Sequence, residues 1–183
     1  MGMAQLKRDF GTTEEFLAWE ETQELRHEFV DGHIYAMVGA RRIHVEVTMN
    51  VGTLLKSALR GTPCRPYMLD LKLRLAEDIY YPDILVTCHP EDLSADRFVQ
   101  RPKVIIEVLS ESTASYDRGR KFAAYRRIAE LEEYVLIDPE LRTIETYRRV
   151  GNDWLLATSE APLGLVLKSL DFIAAPEAVF ENL

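Results

Sequence analysis

The 183-residue sequence predicts an α/β fold in which a mixed central β-sheet is flanked by helices. Short runs rich in Ile, Val and Leu at 84–86 and 104–109 are typical of strands buried on both faces. Apolar residues recur at helical spacing from Ile43 to Leu59, which predicts a long amphipathic helix. The order strand, helix, strand over 104–137 fits a crossover connection within such a sheet.

An N-terminal helix and a hairpin are predicted before this core. Thr12 and Glu15 stand at capping-box spacing, so a helix is expected to begin there and to turn its Phe16 towards the core. The dipeptide Asp31-Gly32 favours a tight turn between two strands, with His27 and His33 interpreted as surface residues. Leucines alternate with polar residues over 69–75, which predicts a half-buried strand.

Length and composition indicate one domain spanning residues 1–183, with 1–11 as a flexible tail. Hydrophobic residues form 47% of the chain and charged residues 28%, as in ordinary globular proteins. No apolar run reaches the roughly 18 residues of a membrane span, so no membrane association is expected. The two cysteines, Cys64 and Cys88, show no disulfide framework or metal-site spacing, which favours a reducing cytoplasm.

Two carboxylates carry the chemistry that the sequence predicts. Glu107 lies inside a strongly apolar run, where an unpaired charge costs several kcal/mol. Asp83 follows Pro82 at the head of the other apolar run. If the two strands are neighbours, the carboxylates converge at strand ends and suit a hard divalent cation. The alternatives are a buried ion pair at Glu107 and an ordinary turn at Asp83.

Several motifs in fixed order resemble the Uma-type family of predicted endonucleases. The segment Tyr81-Pro-Asp-Ile-Leu-Val is followed by 102–113, by 116–125 and by Leu131-Glu-Glu-Tyr-Val-Leu-Ile-Asp-Pro, and 27–34 resembles the opening hairpin of the family. The resemblance covers roughly residues 12–150. It implies the restriction-endonuclease-like fold of the PD-(D/E)XK nuclease superfamily.

The resemblance implies a metal-dependent phosphodiesterase. Asp83 and Glu107 would hold Mg²⁺, for which Mn²⁺ could substitute, and the backbone carbonyl of Val108 would be a third ligand. By the same resemblance, Glu28 on the hairpin would be an additional acidic group near the metal, reached through water. His44 is a further accessory candidate because its place at the start of the long helix would let it approach the site or a phosphate. An exposed strand carboxylate and a helix-end histidine with a local hydrogen bond are the competing interpretations of these two residues.

The chain departs from the superfamily at the catalytic lysine. Leu109 stands two residues after Glu107, where the signature lysine is expected. Lys121, on a helix for which Asp117 is the predicted N-cap, resembles a lysine that has migrated within this family. Lys72 is the second choice for the residue that orients or deprotonates the attacking water.

The resulting hypothesis is a cytoplasmic Mg²⁺-dependent endonuclease that cleaves DNA, expected as a homodimer. The net charge of −8 argues against general nucleic-acid binding, so basic residues must cluster locally. Arg118 and Arg120, in the densest positive segment, are the predicted DNA contacts, although a solvated helix face is an equal alternative. The rival functions are a non-catalytic DNA- or protein-binding module on the same fold and, with less support, a metal-free hydrolase with paired carboxylates.

Overall fold

The structure is a computed structural model that describes residues 4–6, 10–37, 39–159 and 164–183. Within these residues, two six-stranded sheets and one small hairpin carry helices on their faces. Most of the predicted flexible tail, residues 1–3 and 7–9, lies outside the described residues, whereas residues 4–6 form an edge strand paired with the hairpin. No helix in the described ranges combines the length and the hydropathy that crossing a membrane requires.

The first sheet, called here the hairpin sheet, has the strand order β1-β3-β2-β6-β5-β8. Its strands are β1 (Ala4–Leu6), β2 (His27–Val30), β3 (His33–Ala36), β5 (Lys72–Leu75), β6 (Asp78–Tyr80) and β8 (Phe98–Val99). The second, called the central sheet, has the order β12-β11-β10-β9-β7-β4. Its strands are β4 (Arg65–Met68), β7 (Ile84–Thr87), β9 (Pro102–Val108), β10 (Glu133–Asp138), β11 (Thr143–Val150) and β12 (Asp153–Ser159).

The remaining elements connect or cover these sheets. A small hairpin consists of β13 (Leu165–Leu167) and β14 (Phe172–Ala174), joined by a 3-10 turn at Lys168–Leu170. The helices are α1 (Thr13–Glu20), α2 (Arg42–Ala58), α3 (Pro90–Ser94), α4 (Ala114–Tyr116), α5 (Phe122–Tyr125) and α6 (Pro176–Val179). A π-helical turn, Asp117–Lys121, joins α4 directly to α5, so 114–125 forms one continuous helical segment.

The central sheet is mixed, as predicted. Strands β9 and β10 run parallel, with Glu107 opposite Leu136, and the helical segment 114–125 makes the crossover between them. Strand β7 pairs antiparallel with β9 on the other side. Apolar side chains of these strands are buried against α2, whose inward face includes Val47, Val51 and Leu55. This core fixes the positions of β7 and β9, the two strands predicted to carry the carboxylates.

The N-terminal helix and the hairpin are also confirmed. Thr12 caps α1 by accepting a hydrogen bond from the Glu15 amide at 3.2 Å. Asp31 and Gly32 have φ angles of 51° and 76°, the left-handed values that a two-residue turn of this kind needs. Phe16 is fully buried and stacks on Phe29 of β2, with ring centroids 4.9 Å apart, so α1 packs against the hairpin sheet.

Two local predictions are wrong. Only Lys72–Leu75 of the predicted strand 69–75 is extended, because Leu69 and Asp70 take positive φ angles of 47° and 52° and form a turn after β4. His27 is buried rather than on the surface. Its imidazole Nδ1 lies 2.9 Å from Glu20 Oε2, a partner that local sequence does not reveal.

The interpretation of the two cysteines as lacking a disulfide framework is wrong as well. Cys64 and Cys88 form a disulfide between the residue before β4 and the residue after β7. Arg65 and Thr87 are paired in adjacent antiparallel strands, which places the next residues outwards, the two cysteines, opposite each other. The register of the sheet therefore produces a disulfide that a separation of 24 residues in the sequence does not indicate. The disulfide removes the support that the cysteines gave to a reducing compartment.

Candidate active site

A buried cluster of charged side chains lies between the two sheets, centred on Lys121. Its ammonium nitrogen Nζ is 3.0 Å from Glu107 Oε1, 3.3 Å from Glu28 Oε1 and 3.5 Å from Asp117 Oδ1. All four residues are at most 7% exposed. The structure thus brings together three of the predicted residues and one carboxylate, Asp117, that was assigned another role.

Each side chain of the cluster comes from a different part of the fold. Glu28 belongs to β2 of the hairpin sheet and Glu107 to β9 of the central sheet, while Asp117 and Lys121 begin and end the π-helical turn. Single π-helical turns are rare in proteins and are frequent at functional sites. The cluster therefore depends on the packing of both sheets against this one segment.

Asp83 lies beside the cluster, immediately before β7. Its Oδ2 accepts a hydrogen bond from the Val108 amide at 2.8 Å and lies 3.2 Å from His44 Nε2. The Asp83 amide donates to Glu107 Oε2 at 3.4 Å. The two carboxylates predicted to share a cation are therefore neighbours on adjacent strands, and His44 and Val108 both contact one of them.

His44 is placed by the first turn of α2, as the sequence hypothesis required. Its side chain is 16% exposed and also hydrogen-bonds to the backbone of Val108. Burial lowers the pKa of His44, but the hydrogen bond and charge of Asp83 outweigh burial and raise that pKa above its usual value. The Asp83 carboxylate thereby stabilises a proton on His44 Nε2.

The charges of the cluster are unbalanced. Four carboxylates, Glu28, Asp83, Glu107 and Asp117, face one ammonium group and one imidazole. Burial raises the pKa of Glu107 well above its usual value, against the opposing influence of Lys121, and the neighbouring carboxylates raise it further. Burial raises the pKa values of Glu28 and Asp117 in the same direction. The site favours an additional positive charge.

Lys121 keeps its proton at neutral pH. Burial acts to lower the pKa of the amine, but the charges of Glu107 and Glu28 overcome burial and raise that pKa well above its usual value. Lys121 Nζ is therefore a hydrogen-bond donor and a fixed positive charge. Of the two roles predicted for the lysine, orienting a water fits this protonation state, whereas deprotonating one requires the neutral amine.

One buried polar atom of the cluster lacks a hydrogen bond. Glu28 Oε1 accepts from the Tyr81 amide at 3.2 Å, but Glu28 Oε2 has no hydrogen-bond partner. Buried carboxylate oxygens without partners are costly, and hard divalent cations prefer oxygen ligands. Among the described residues, no three His, Cys, Asp or Glu side chains are already arranged to hold a metal. The donor chemistry of these oxygens fits Mg²⁺ or Mn²⁺.

Aromatic residues hold the carboxylates in place. The Tyr125 hydroxyl donates to Glu107 Oε1 at 3.1 Å. Tyr81, two residues before Asp83, donates its hydroxyl to the buried Glu20 at 2.9 Å and its amide to Glu28. These contacts anchor both the Glu107 side chain and the segment that leads into Asp83.

The structure places three other predicted residues away from the cluster. Lys72 Nζ lies 5.6 Å from the centre of the Tyr81 ring and makes no ion pair with a carboxylate of the cluster. Arg118 binds Glu145, with Nη2 2.6 Å from Oε1, and Arg120 Nη2 lies 2.5 Å from Asp31 Oδ2. The charges of the two predicted DNA contacts are therefore balanced within the protein.

Sequence reasoning missed Asp117 and Tyr125 as parts of the site. Asp117 is not the N-cap of the helix that carries Lys121, because helical structure already begins at Ala114 and Asp117 has helical angles. The signal that could have identified Asp117 was its i,i+4 spacing from Lys121, which favours contact on one helix face. Tyr125 repeats this spacing one turn later, but a tyrosine at that position is equally typical of a core residue.

Most of the chain is similar to one family of known proteins. Residues 13–175 match the family Uma2, which is described as "Putative restriction endonuclease". The chain belongs to the Uma2 family. The predicted family resemblance is thereby confirmed, and the match extends beyond the residues 12–150 that carried it.

Relatives of this Uma2 protein include two uncharacterized proteins of Synechocystis sp. One is 36% identical over 173 residues, covering 93% of this chain and 91% of the relative. The other is 35% identical over 150 residues, covering 79% and 85% respectively. Their similarity supports the family assignment without adding an activity.

A solved structure confirms the predicted fold. It is described as a "putative nuclease belonging to DUF820" from Anabaena variabilis and superposes with a TM-score of 0.77. The superposition covers 92% of this chain and 97% of the other, at 19% sequence identity. The α/β fold with a mixed central sheet flanked by helices is therefore shared despite low identity.

Proposed function

We propose that this Uma2 protein is a metal-dependent nuclease that hydrolyses phosphodiester bonds in DNA. The observation that carries the proposal is the excess of buried carboxylates around Lys121, which includes the unpartnered oxygen of Glu28. The family description and the nuclease fold of the Anabaena protein support the same reaction class. Mg²⁺ is the proposed cofactor, and Mn²⁺ is a suitable substitute.

Asp83 and Glu107 are the proposed metal ligands, with Glu28 as an accessory carboxylate and the Val108 carbonyl as a further oxygen donor. The chemistry supplied by a bound divalent cation is Lewis-acid stabilisation of the charge that develops on the phosphate oxygens. His44 Nε2 holds a proton against Asp83 and fixes the orientation of that carboxylate. Tyr125 fixes the orientation of Glu107 by donating a hydrogen bond from its hydroxyl to that carboxylate.

Lys121 is the proposed catalytic lysine in place of the residue missing at Leu109. As a protonated amine, it donates hydrogen bonds to the attacking water or to a phosphate oxygen and stabilises developing negative charge. Its origin on the π-helical turn, rather than on β9, allows its ammonium group to contact Glu107 and Glu28 together. Lys72 is the weaker choice because it lies against Tyr81.

The first test is calorimetric titration with Mn²⁺, followed by cleavage of plasmid and linear DNA with Mg²⁺ and Mn²⁺. Glu107→Gln and Asp83→Asn preserve side-chain size while removing charge, and both are expected to abolish cation binding and cleavage. Glu111→Gln is the matched control, since Glu111 is exposed on the loop after β9. Unchanged cation binding in the Glu107 and Asp83 variants would contradict the assignment of these ligands.

A second candidate is a non-catalytic DNA- or protein-binding module on the same fold. It is favoured by one observation: Lys121 already pairs with Glu107, Glu28 and Asp117, so the cluster can act as an internal ion network. This candidate predicts that neither Mg²⁺ nor Mn²⁺ binds in calorimetry. Cation binding together with cleavage of DNA would exclude it.

A further inference from the structure

A group of basic side chains lies away from the carboxylate cluster, at the C-terminal end of α2. Lys56 near the end of this helix, Arg60 two residues after it and Arg65 at the start of β4 line one shallow cavity of about 210 Å³. All three side chains are exposed to solvent. The cavity also includes Cys64, one half of the disulfide.

These three cations differ from most others in this acidic protein. Arginines elsewhere in the described residues are commonly neutralised by carboxylates, as in the pairs Arg74–Glu14 and Arg97–Glu21. Lys56, Arg60 and Arg65 form no ion pair with any described residue. Three positive charges therefore share one concave surface without a compensating carboxylate.

The cavity wall is held in a fixed arrangement. Arg65 Nη1 donates hydrogen bonds to the carbonyl oxygens of Thr62, at 2.5 Å, and Cys64, at 2.8 Å, which orients its guanidinium group. The remaining N–H groups of Arg65 bind no described residue and stay available. The Cys64–Cys88 disulfide ties the same segment to the end of β7. Less side-chain freedom is lost on binding when the donors are already oriented.

We propose that the cavity formed by Lys56, Arg60 and Arg65 is a docking site for the phosphate backbone of nucleic acid, distinct from the carboxylate cluster. Guanidinium and ammonium groups are the side chains that contact phosphate oxygens in such complexes. The choice of nucleic acid among polyanions rests on the proposed nuclease function. The cavity supplies the local positive surface that a chain with a net charge of −8 needs.

The position of the cavity is compatible with one substrate reaching both sites. Lys56 lies twelve residues after His44 on the same helix. At the helical rise of 1.5 Å per residue, the separation along α2 is about 18 Å. This distance matches roughly five base-pair steps of B-form DNA at about 3.4 Å per step. The cavity would bind backbone a few nucleotides away from the cleaved bond.

The test measures binding alone, by fluorescence anisotropy of labelled duplex and single-stranded DNA in EDTA. The variant Lys56→Ala/Arg60→Ala/Arg65→Ala removes the three charges. Its control is Arg126→Ala/Arg127→Ala/Lys168→Ala, which removes the same charge at cations that likewise form no ion pair with described residues and lie outside the cavity. Thermal melting verifies that both variants fold.

The expected result is a loss of about eightfold in affinity per removed contact at 0.1 M salt, because each phosphate contact contributes about 0.9 to the slope of log K against log salt. The magnitude of this slope should decrease by about 2.7 in the cavity variant and should stay close to the wild-type value in the control. Equal losses in both variants would overturn the proposal in favour of general electrostatics. Binding to anionic lipid vesicles but to no nucleic acid, or to neither, would overturn it as well.

This experiment separates the docking site from the proposed nuclease activity. The absence of divalent cations means that binding is measured whether or not the carboxylate cluster is catalytic. A wild-type protein that binds DNA through the cavity but never cleaves it would refute the nuclease function and leave the docking site standing. A protein that cleaves DNA equally well in the cavity variant, with unchanged salt dependence, would refute the docking site alone.

Discussion

Lys121 Nζ lies 3.0 Å from Glu107 Oε1, and the two residues reach this contact from different layers of the fold. Glu107 is on a central strand, whereas Lys121 ends a π-helical turn in the crossover that follows it. The ammonium group lies within 3.5 Å of the carboxylates of Glu28, Glu107 and Asp117. It supplies part of the positive charge that these buried carboxylates require in the metal-free protein.

The first prediction concerns removal of this internal cation. Lys121→Met should destabilise the metal-free protein by about 3–5 kcal/mol, because Glu28, Glu107 and Asp117 lose their shared buried partner. Urea unfolding in EDTA measures the loss. Lys103→Met is the control, since Lys103 pairs with Glu132 in a partly exposed position and should cost little.

The second prediction is that a divalent cation compensates for the missing lysine. If the cluster is a cation site, Mn²⁺ should raise the melting temperature of Lys121→Met more than that of the wild type, because the vacated carboxylates bind the ion without competition from the amine. Saturation at a hundredfold excess over Kd adds about 2.7 kcal/mol to the free energy of unfolding. Identical Mn²⁺ effects on both proteins would show that Lys121 and the cation do not share ligands.

The third prediction concerns the anchor behind Asp83. Tyr81→Phe removes the hydroxyl that donates to buried Glu20 at 2.9 Å, and hydrogen bonds to charged groups contribute about 1.5–3 kcal/mol. The free energy of unfolding should fall by this amount in denaturant titrations. Tyr67→Phe is the matched control, because the Tyr67 hydroxyl bonds to no described residue. Equal stability of the two variants would exclude an anchoring role for Tyr81.

The fourth prediction is a loss of stability at alkaline pH. Burial raises the pKa values of Tyr81, Tyr125 and Tyr134 above the ordinary value of 10.0, so the folded protein holds these protons more tightly than the unfolded chain does. The stabilisation is complete below pH 10 and is lost as the pH rises above it, by about 1.4 kcal/mol per pH unit for each such group. Lys121 contributes with the same sign.

Urea midpoints measured from pH 8 to about pH 11 test this dependence. Tyr81→Phe should make the alkaline decline shallower than in the wild type, because one of the protonated phenols is gone. A decline of equal steepness in the two proteins would mean that Tyr81 ionises alike in the folded and unfolded states.

The fifth prediction concerns the disulfide. Cys64 and Cys88 close a loop with a sequence separation of 24, for which the chain-entropy account gives about 3.5 kcal/mol of stabilisation. The variant Cys64→Ser/Cys88→Ser should unfold at correspondingly lower urea concentration. A strong reductant should lower the midpoint of the wild type to that of the variant and leave the variant unchanged. A midpoint insensitive to reductant would show that the link adds no stability.

The elements that sequence determined are those governed by local chemistry. The cap at Thr12, the turn at Asp31-Gly32 and the apolar spacing of α2 each depend on neighbouring residues, and each is present in the structure. The strand carrying Glu107 is specified by a continuous apolar run for the same reason. The ordered motifs around Asp83 and Glu107 were sufficient to identify the family.

Tertiary structure decided which side chains meet. Lys121, which also pairs with Asp117, contacts Glu28 only because the crossover segment packs against both sheets, and His27 is buried beside Glu20 of α1. Cys64 meets Cys88 through the register of β4 and β7. Such contacts depend on the relative positions of elements distant in sequence, and local propensity carries no information about them. The sequence therefore determined the elements and the family, while long-range packing decided the membership and charge of the site.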